Sequence, residues 1–406
     1  MTGKRSFGPG ALVAAAFIGP GTVTTCTLAG AGFGTALLWV LIASVLAAMV
    51  LQEMSARLGA VTGQGLAYTL RQISDRAWVR RSVYILVGVS ILLGNAAYQG
   101  GNLSGAALGF EAAFADALPP RVVTLLIALL AAVLLWFGSA AVLGAALSLL
   151  VLVLAIAFAI TAVMAAPALG EAWRAAFRFT LPEGSLTTAL ALIGTTIVPY
   201  NLFLHASASA EAFGPSGDVH AARRDTLVFV ALGGLISSFV MITAAGTLMA
   251  SGEAVDGAAG LARQLEPLFG SFARVVFGAG LLAAGLTSAV TAPMAAGAVA
   301  LGLAGRPFAT QDRLYKAVAF AILATGAGFA ISGIRPLELI LLAQAANGFL
   351  LPGVATLLLA VMNKGALMGR HRNGTLANSV ACGAIAVAVL IGGRLVIGVA
   401  ARLMTS

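Results

Sequence analysis

Long apolar segments separated by short charged loops dominate this sequence. Of its 406 residues, 60% are hydrophobic and only 9% are charged, whereas a soluble domain carries roughly 25% charged residues. In a bilayer every backbone N–H and C=O must find a partner within the protein, which restricts spanning structures to helices and closed β-barrels. The apolar segments have the length of spanning helices rather than of strands. The sequence therefore predicts an all-α integral membrane protein.

Charged clusters divide the chain into eleven segments long enough to span a membrane, given that a spanning helix needs roughly 20 apolar residues. The predicted spans are 8–31, 35–56, 82–109, 122–138, 140–166, 186–211, 226–250, 270–302, 314–333, 336–361 and 375–401. We predict one transporter domain over 1–406, with a first five-helix half at 8–166, a second, inverted half at 186–361 and an extra eleventh helix at 375–401. Only Gly138-Ser139 indicates the turn between the fourth and fifth spans.

Basic residues are concentrated on one side of this predicted topology. Most of the 23 Lys and Arg residues fall in cytoplasmic loops if the amino terminus is inside, which places the carboxyl terminus outside. We therefore expect a multi-pass protein of the cell (inner) membrane. The net charge of +9 lies in short loops beside helix ends, so anionic lipid headgroups are the expected partner and nucleic acid is not.

A helix breaker interrupts the first span at Gly19-Pro20-Gly21-Thr22. Pro20 lacks a backbone donor, and the flanking glycines relax the backbone. A helix broken at membrane depth is tolerated where the freed backbone groups line a cavity. Taken alone, the motif fits an ordinary kinked helix as well as a binding site.

A second breaker, Val198-Pro199-Tyr200-Asn201, lies at the corresponding position of the sixth span. Paired breaks in the two halves predict a secondary transporter whose substrate site lies between them. His205 follows Asn201 by four residues and shares its helical face. This histidine is either a proton-related functional group or a neutral side chain hydrogen-bonded to a neighbouring helix.

Two other polar groups lie within predicted spans. Gln344 and Asn347 in the tenth span could supply oxygen ligands or interhelical hydrogen bonds. Asn95, Gln99 and Asn102 form a stripe in the third span that suits a water-lined passage or a helix interface. The sequence leaves both alternatives open.

The sequence gives no support for an enzyme. It contains no Ser/His/Asp grouping, no P-loop, no dinucleotide motif and no metal-spaced His and Cys, and it has only three His residues. We expect no cofactor and no ATP-hydrolysing partner, so a gradient must supply the energy for transport.

Short segments, occurring in the same order along most of the chain, resemble the Nramp family of divalent-metal transporters. The matching segments are Gly-Pro-Gly at 8–10, Ala-Gly-Phe-Gly at 31–34, Leu-Leu-Trp-Val at 37–40, Ala-Arg-Leu-Gly-Ala-Val-Thr-Gly at 56–63, Asn-Leu-Phe-Leu-His at 201–205, Leu-Ala-Ala-Gly at 282–285 with Thr-Ser at 287–288, Gln344, and Leu-Met-Gly at 367–369. The resemblance implies the fold of the sodium-coupled amino-acid symporters, with inverted five-helix halves, an eleventh helix and metal bound between broken helices 1 and 6. Most members of the family import manganese or iron together with protons.

The sequence departs from the family at both breaks. Gly19 and Thr22 stand where the family has the Asp and Asn of Asp-Pro-Gly-Asn, and Val198 and Tyr200 stand where it has Met-Pro-His. The chain therefore resembles a divergent member that lacks the family's metal-binding Asp, Asn and Met.

The resemblance also bears on proton coupling. The two acids of the family's third helix align with Asn102 and Gly105, while His205 is retained. No Asp or Glu lies near the middle of a predicted span, and Glu53 at the inner end of the second comes closest. We therefore expect transport to be uncoupled from protons or weakly coupled to them.

The substrate-binding residues that the resemblance implies are all uncharged. They are Phe17, Gly19, Thr22, Thr195, Val198, Tyr200 and Gln344. Thr22, Tyr200 and Gln344 are the candidate metal ligands, and main-chain carbonyls around Phe17 and Thr195 would complete the set. Neutral oxygens without a thioether favour a hard, partly hydrated divalent cation such as magnesium over tightly bound manganese or iron.

Two other functions remain open at this point. Removal of the acid leaves the positive half-helix N-termini at the breaks, which could instead hold an anion such as bicarbonate, or a zwitterion. A sensor that has lost transport is the second alternative.

Overall fold

In the computed structural model, the described residues are 8–11, 13, 18–115, 117–137, 141–214, 216–252 and 255–405, and they contain helices and no strand. The long helices are α1 (Pro20–Phe33), α2 (Leu38–Thr62), α3 (Ala77–Phe114), α4 (Pro120–Phe137), α5 (Ala141–Met164), α6 (Leu186–Thr196), α7 (Pro199–Phe213), α8 (Val219–Met249), α9 (Ala273–Ala304), α10 (Arg313–Ala330), α11 (Pro336–Met362) and α12 (Thr375–Thr405). Short helices or 3₁₀ turns lie at Leu66–Leu70, Ala166–Ala175, Ala258–Ala262, Arg263–Leu265, Glu266–Phe269, Gly270–Phe272, Gly365–Met368 and Gly369–His371. The helices α3 and α8 each contain one π-helical turn, at Val89–Leu93 and Ala245–Met249.

The helices correspond to the eleven predicted spans. Nine helical segments of the described chain are long and apolar enough to cross a membrane. The other two predicted spans are the interrupted first one, which is helical at 9–11 and 13 and again in α1, and the 18-residue α10. The all-α membrane fold is confirmed, whereas the predicted turn at Gly138-Ser139 lies outside the described residues.

Both predicted breaks are present. Gly19 is extended (φ −91°, ψ 178°) and α1 begins at Pro20. The second break consists of Ile197 and Val198, which are non-helical. Because α7 begins at Pro199, Tyr200 and Asn201 are helical and do not belong to the break as predicted. Proline suits the first helical position because the N–H that it lacks would have no intrahelical partner there.

The first break ends earlier in the chain than predicted. Gly21 and Thr22 belong to the first turn of α1 rather than to the unwound segment. The reason is that the Gly19 carbonyl accepts hydrogen bonds from the N–H groups of Thr22 and Val23, at 3.1 and 3.2 Å, and these bonds start the helix directly after the extended residue.

Small residues bring the central helices into close contact, as is common in membranes. A Cβ placed on Gly194 of α6 would overlap the main-chain carbonyl of Gln344 in α11, and one on Gly348 of α11 would overlap the carbonyl of Leu190. On the outside, large apolar side chains such as Leu129 of α4 and Val163 of α5 are exposed. Buried glycines therefore pack the centre, and the apolar rim suits contact with lipid.

Candidate substrate site at the two helix breaks

The two breaks meet through a pair of buried hydroxyl groups. Thr22 is the third residue of α1, and Thr195 is the last but one of α6. Their Oγ1 atoms lie 2.8 Å apart in a hydrogen bond, and both side chains are buried. Residues 173 positions apart in the sequence thus bring α1 and α6 together.

The side chain of Gln344 in α11 lies against this junction. A Cβ on Gly21 would overlap the Gln344 amide. Gln344 is buried, and its Oε1 atom has no hydrogen-bond partner within the described protein. An amide oxygen that is buried and unpartnered is costly unless it serves a ligand or a water molecule. Thr22, Thr195 and Gln344 therefore form a polar junction of α1, α6 and α11.

The first turn of α7 adds two more polar side chains near the second break. The ring of Tyr200 packs edge-on against Tyr98 of α3 with centroids 5.3 Å apart, and its buried hydroxyl makes no hydrogen bond of normal geometry. Asn201 is also buried, and neither its Oδ1 nor its Nδ2 has a partner within the described protein. Asn201 was not among the predicted binding residues, although its position directly after the breaker was a usable signal.

Two of the remaining predicted residues, Gly19 and Val198, have no polar side chain to offer. Gly19 and Val198 are buried in the extended segments of the two breaks. Phe17 lies outside the described residues. The side-chain donors at the junction are consequently uncharged.

No acidic or sulfur-rich metal centre is formed by the described residues. They contain no group of three or more His, Cys, Asp or Glu side chains that could hold a metal ion. The donors at the junction are hydroxyl and amide oxygens. Such hard, neutral donors suit a cation that keeps part of its water shell better than one that must be stripped of it.

His205 bridges three helices. Its Nδ1 atom lies 2.9 Å from Gln52 Oε1 in α2, and its Nε2 atom lies 3.4 Å from Thr226 Oγ1 in α8. The ring is fully buried. These are the contacts that the packing alternative requires, and the proton-related role of His205 stays a prediction.

The polar stripe of α3 forms a helix interface. Asn95 Nδ2 donates to the carbonyl of Ala292 at 3.2 Å, and Gln99 Nε2 donates to that of Ala289 at 2.9 Å. Both acceptors belong to α9. Two members of the stripe therefore hold α3 to α9, as the second of the two alternatives predicts.

Gly105, also in α3, makes room for the first break. A Cβ at this position would overlap the ring of Pro20. The space beside position 105, which the resemblance aligns with an acid, is thus filled by the ring of Pro20 at the start of α1.

A buried ionic network that the sequence analysis missed lies at one end of α2. Glu53 Oε1 accepts from Arg57 Nε at 3.0 Å and lies 2.9 Å from Arg223 Nη2, while Glu53 Oε2 accepts from Arg57 Nη2 at 3.1 Å. Arg57 also donates to the main-chain oxygen of His371 and, at 2.8 Å, to Asn373 Oδ1. The network ties α2 to the start of α8 and to the segment before α12. Its sequence signal was the i, i+4 spacing of Glu53 and Arg57.

Comparisons with known proteins agree with this architecture. A family profile described as "Natural resistance-associated macrophage protein-like" (Nramp) matches residues 10–398. The chain is 31% identical over 399 residues to a divalent metal cation transporter MntH of Ralstonia nicotianae, covering 93% of this chain and 87% of the relative. It is 27% identical over 404 residues to an MntH of Klebsiella pneumoniae, covering 96% and 93%.

Solved structures show the same fold. A mutant of the Eremococcus coleocola manganese transporter aligns with a TM-score of 0.75 at 20% identity, covering 97% of this chain and 87% of that one. MhsT in complex with L-phenylalanine aligns with a TM-score of 0.60 at 15% identity, covering 94% and 98%. At these identities the structures establish the fold alone.

Proposed function

We propose a function for this chain on the premise that it belongs to the Nramp family. It is therefore a multi-pass membrane transporter and not an enzyme. Its curated relatives are named divalent metal cation transporters, which supports a divalent metal cation as the cargo here. We place the protein in the inner membrane, with its amino terminus in the cytoplasm and its carboxyl terminus outside.

The observation that carries the finer proposal is the neutral junction of Thr22, Thr195 and Gln344 between the two breaks. A carboxylate is the group that best compensates a divalent ion for the water it loses on binding, and this junction has no carboxylate. We therefore infer that the cargo keeps part of its hydration shell. Magnesium dehydrates reluctantly and usually keeps several waters, so the site should favour magnesium over manganese or iron.

The same reasoning supports weak proton coupling. Glu53 is engaged by Arg57 and Arg223, and a glycine stands at position 105, where the family resemblance has an acid. His205 is held by Gln52 and Thr226. Gly105 has no side-chain group that could carry a proton, and the Glu53 and His205 side chains serve to hold helices together. The chain therefore lacks the acid that would supply a relay at position 105, which disfavours proton movement with the cargo.

Cation uptake into proteoliposomes tests this proposal directly. Thr22→Val removes one hydroxyl of the junction at nearly constant volume and should weaken magnesium affinity about tenfold, the equivalent of ~1.4 kcal/mol. The matched control is Thr325→Val, because the Thr325 hydroxyl is exposed on α10 and bonds only its own helix, at Ala321. We expect the control to transport normally and the vesicle interior to stay near its starting pH.

Three results would change this conclusion. Tight manganese uptake with strong internal acidification would overturn the magnesium-like and weakly coupled transport. If bicarbonate flux responds to Thr22→Val and no divalent cation is transported, the cargo is an anion and not a cation. Binding without flux of either solute would favour a sensor.

A gain of function tests where the pocket lies. Gly19→Asp combined with Val198→Met returns an acid and a thioether to the two breaks. The double variant should bind manganese in calorimetry, while each single variant should bind it more weakly. A double variant that folds, runs as the wild type in gel filtration and yet binds no manganese would show that the two breaks do not form the cation pocket.

A further inference from the structure

A cavity with a volume of about 320 Å³ lies at the Glu53 network rather than at the breaks. Six of its lining residues are cationic or can become so. They are Arg57, His220, Arg223, Arg370, His371 and Arg372. The proposed cation site at the breaks does not include this cavity.

The positive charge of the cavity exceeds its negative charge. Arg57 and Arg223 share the single carboxylate of Glu53. Among the described residues, neither Arg370 nor Arg372 is in an ion pair. The four guanidinium groups therefore have one paired carboxylate between them.

The one acidic side chain that lines the cavity is committed elsewhere. Asp218 Oδ1 accepts the N–H of Ala221 at 2.9 Å and caps the N-terminus of α8. Residues 217–219, which lead into this helix, also line the cavity. The N-terminus of a long helix carries a partial positive charge and suits an anion. The Asp218 carboxylate offsets part of the charge of the helix end, but Glu53 and Asp218 together balance only two of the four guanidinium groups.

The cationic groups are accessible and chemically suited to one class of ligand. The Arg223 side chain is 51% exposed, and Arg370 and Arg372 are exposed as well. Guanidinium groups bind phosphate oxygens through two parallel charge-assisted hydrogen bonds. Basic pockets beside spanning helices commonly hold lipid phosphate groups.

We propose that this cavity binds a phosphoryl anion between the start of α8 and the Gly369–His371 turn. A free phosphate and the headgroup of an anionic lipid carry the same chemistry. Because Arg57 and Arg223 also hold Glu53, a bound phosphoryl group competes with that carboxylate.

Calorimetry on the purified full chain in phosphatidylcholine nanodiscs tests the proposal. Inorganic phosphate is titrated against chloride at equal ionic strength. The double variant Arg370→Gln/Arg372→Gln should weaken phosphate binding about tenfold or more. The matched control, Arg80→Gln/Arg81→Gln, removes the same charge from two exposed arginines at the start of α3 and should change binding less than about twofold.

A second arm identifies the source of the phosphoryl group. Nanodiscs containing phosphatidylglycerol are analysed by native mass spectrometry for retained lipid. Lipid retained by the wild type and the control, but lost from Arg370→Gln/Arg372→Gln, assigns the cavity to a headgroup even if free phosphate does not bind. A charge-preserving variant, Arg370→Lys/Arg372→Lys, should bind with intermediate affinity, which guards against loss of folding in the Gln variant.

Two outcomes overturn the proposal. Equal weakening by the two Gln double variants would mean that binding follows overall charge and not this cavity. Failure of the wild type to bind inorganic phosphate and to retain phosphatidylglycerol would exclude a phosphoryl site altogether.

Discussion

The substitution Glu53→Gln should destabilise the protein strongly, because it breaks a buried ion pair with Arg57. The Glu53 and Arg57 side chains are only 9% and 7% exposed. Removing one partner of a buried pair costs about 3–5 kcal/mol, because the other charge stays buried. Arg57 keeps two acceptors, the main-chain oxygen of His371 and the Asn373 side chain, so we expect a cost of about 3 kcal/mol.

The second ion pair of this network, between Glu53 and Arg223, should contribute less to stability than the first. Arg223 is 51% exposed, and pairs in such an environment contribute less than about 1 kcal/mol. Arg223→Gln should therefore be at least about threefold milder than Glu53→Gln. Glu338→Gln is the matched control, because Glu338 pairs with Arg335 at an exposed helix start and its loss should change stability little.

Equilibrium unfolding in detergent micelles, followed by tryptophan fluorescence, measures these differences. A double-mutant cycle of Glu53→Gln and Arg57→Gln should give a coupling energy of about 2 kcal/mol, since the second substitution removes the charge that the first leaves unpaired. Additive effects in this cycle, or a Glu53→Gln variant no less stable than Glu338→Gln, would refute the reasoning.

Two further perturbations follow from the structure. Gly21→Ala should displace the Gln344 amide and reduce magnesium binding in calorimetry, whereas Gly32→Ala, with nothing within 4 Å of the added Cβ, should bind normally; equal loss in both would refute the placement of Gln344. The N–H of Leu314 donates to Asp312 and lowers the pKa of that carboxyl below its usual 3.8. The ionised Asp312 carboxylate therefore stabilises the protein fully above pH 3.8, and this stabilisation is lost as the pH falls through the lowered pKa. Asp312→Asn should remove that pH dependence in thermal melting, and an unchanged profile would contradict the assignment.

The helix breaks could be predicted from the sequence because their cause is local. Pro20 and Pro199 each lack the N–H that a continuous helix needs, and each becomes the first residue of a helix. The sequence places the end of the first break too late, because the hydrogen bonds of the Gly19 carbonyl depend on its backbone angles. A residue's type restricts these angles without fixing them.

The contacts of the polar side chains could not be predicted in the same way. His205 bonds to Gln52, 153 positions away, and Gln99 bonds to Ala289, 190 positions away. Helical periodicity places such residues on a face but does not name the helix opposite. The buried Glu53 network had a local signal in the spacing of Glu53 and Arg57. Its third member, Arg223, lies 170 positions after Glu53 in the chain.

The contact between Gly105 and Pro20 restricts which side chains position 105 can carry. A Cβ atom added there would overlap the Cβ atom of Pro20, so the proline ring would have to shift. A side chain introduced at position 105 would therefore alter the geometry of the first break as well as its own surroundings.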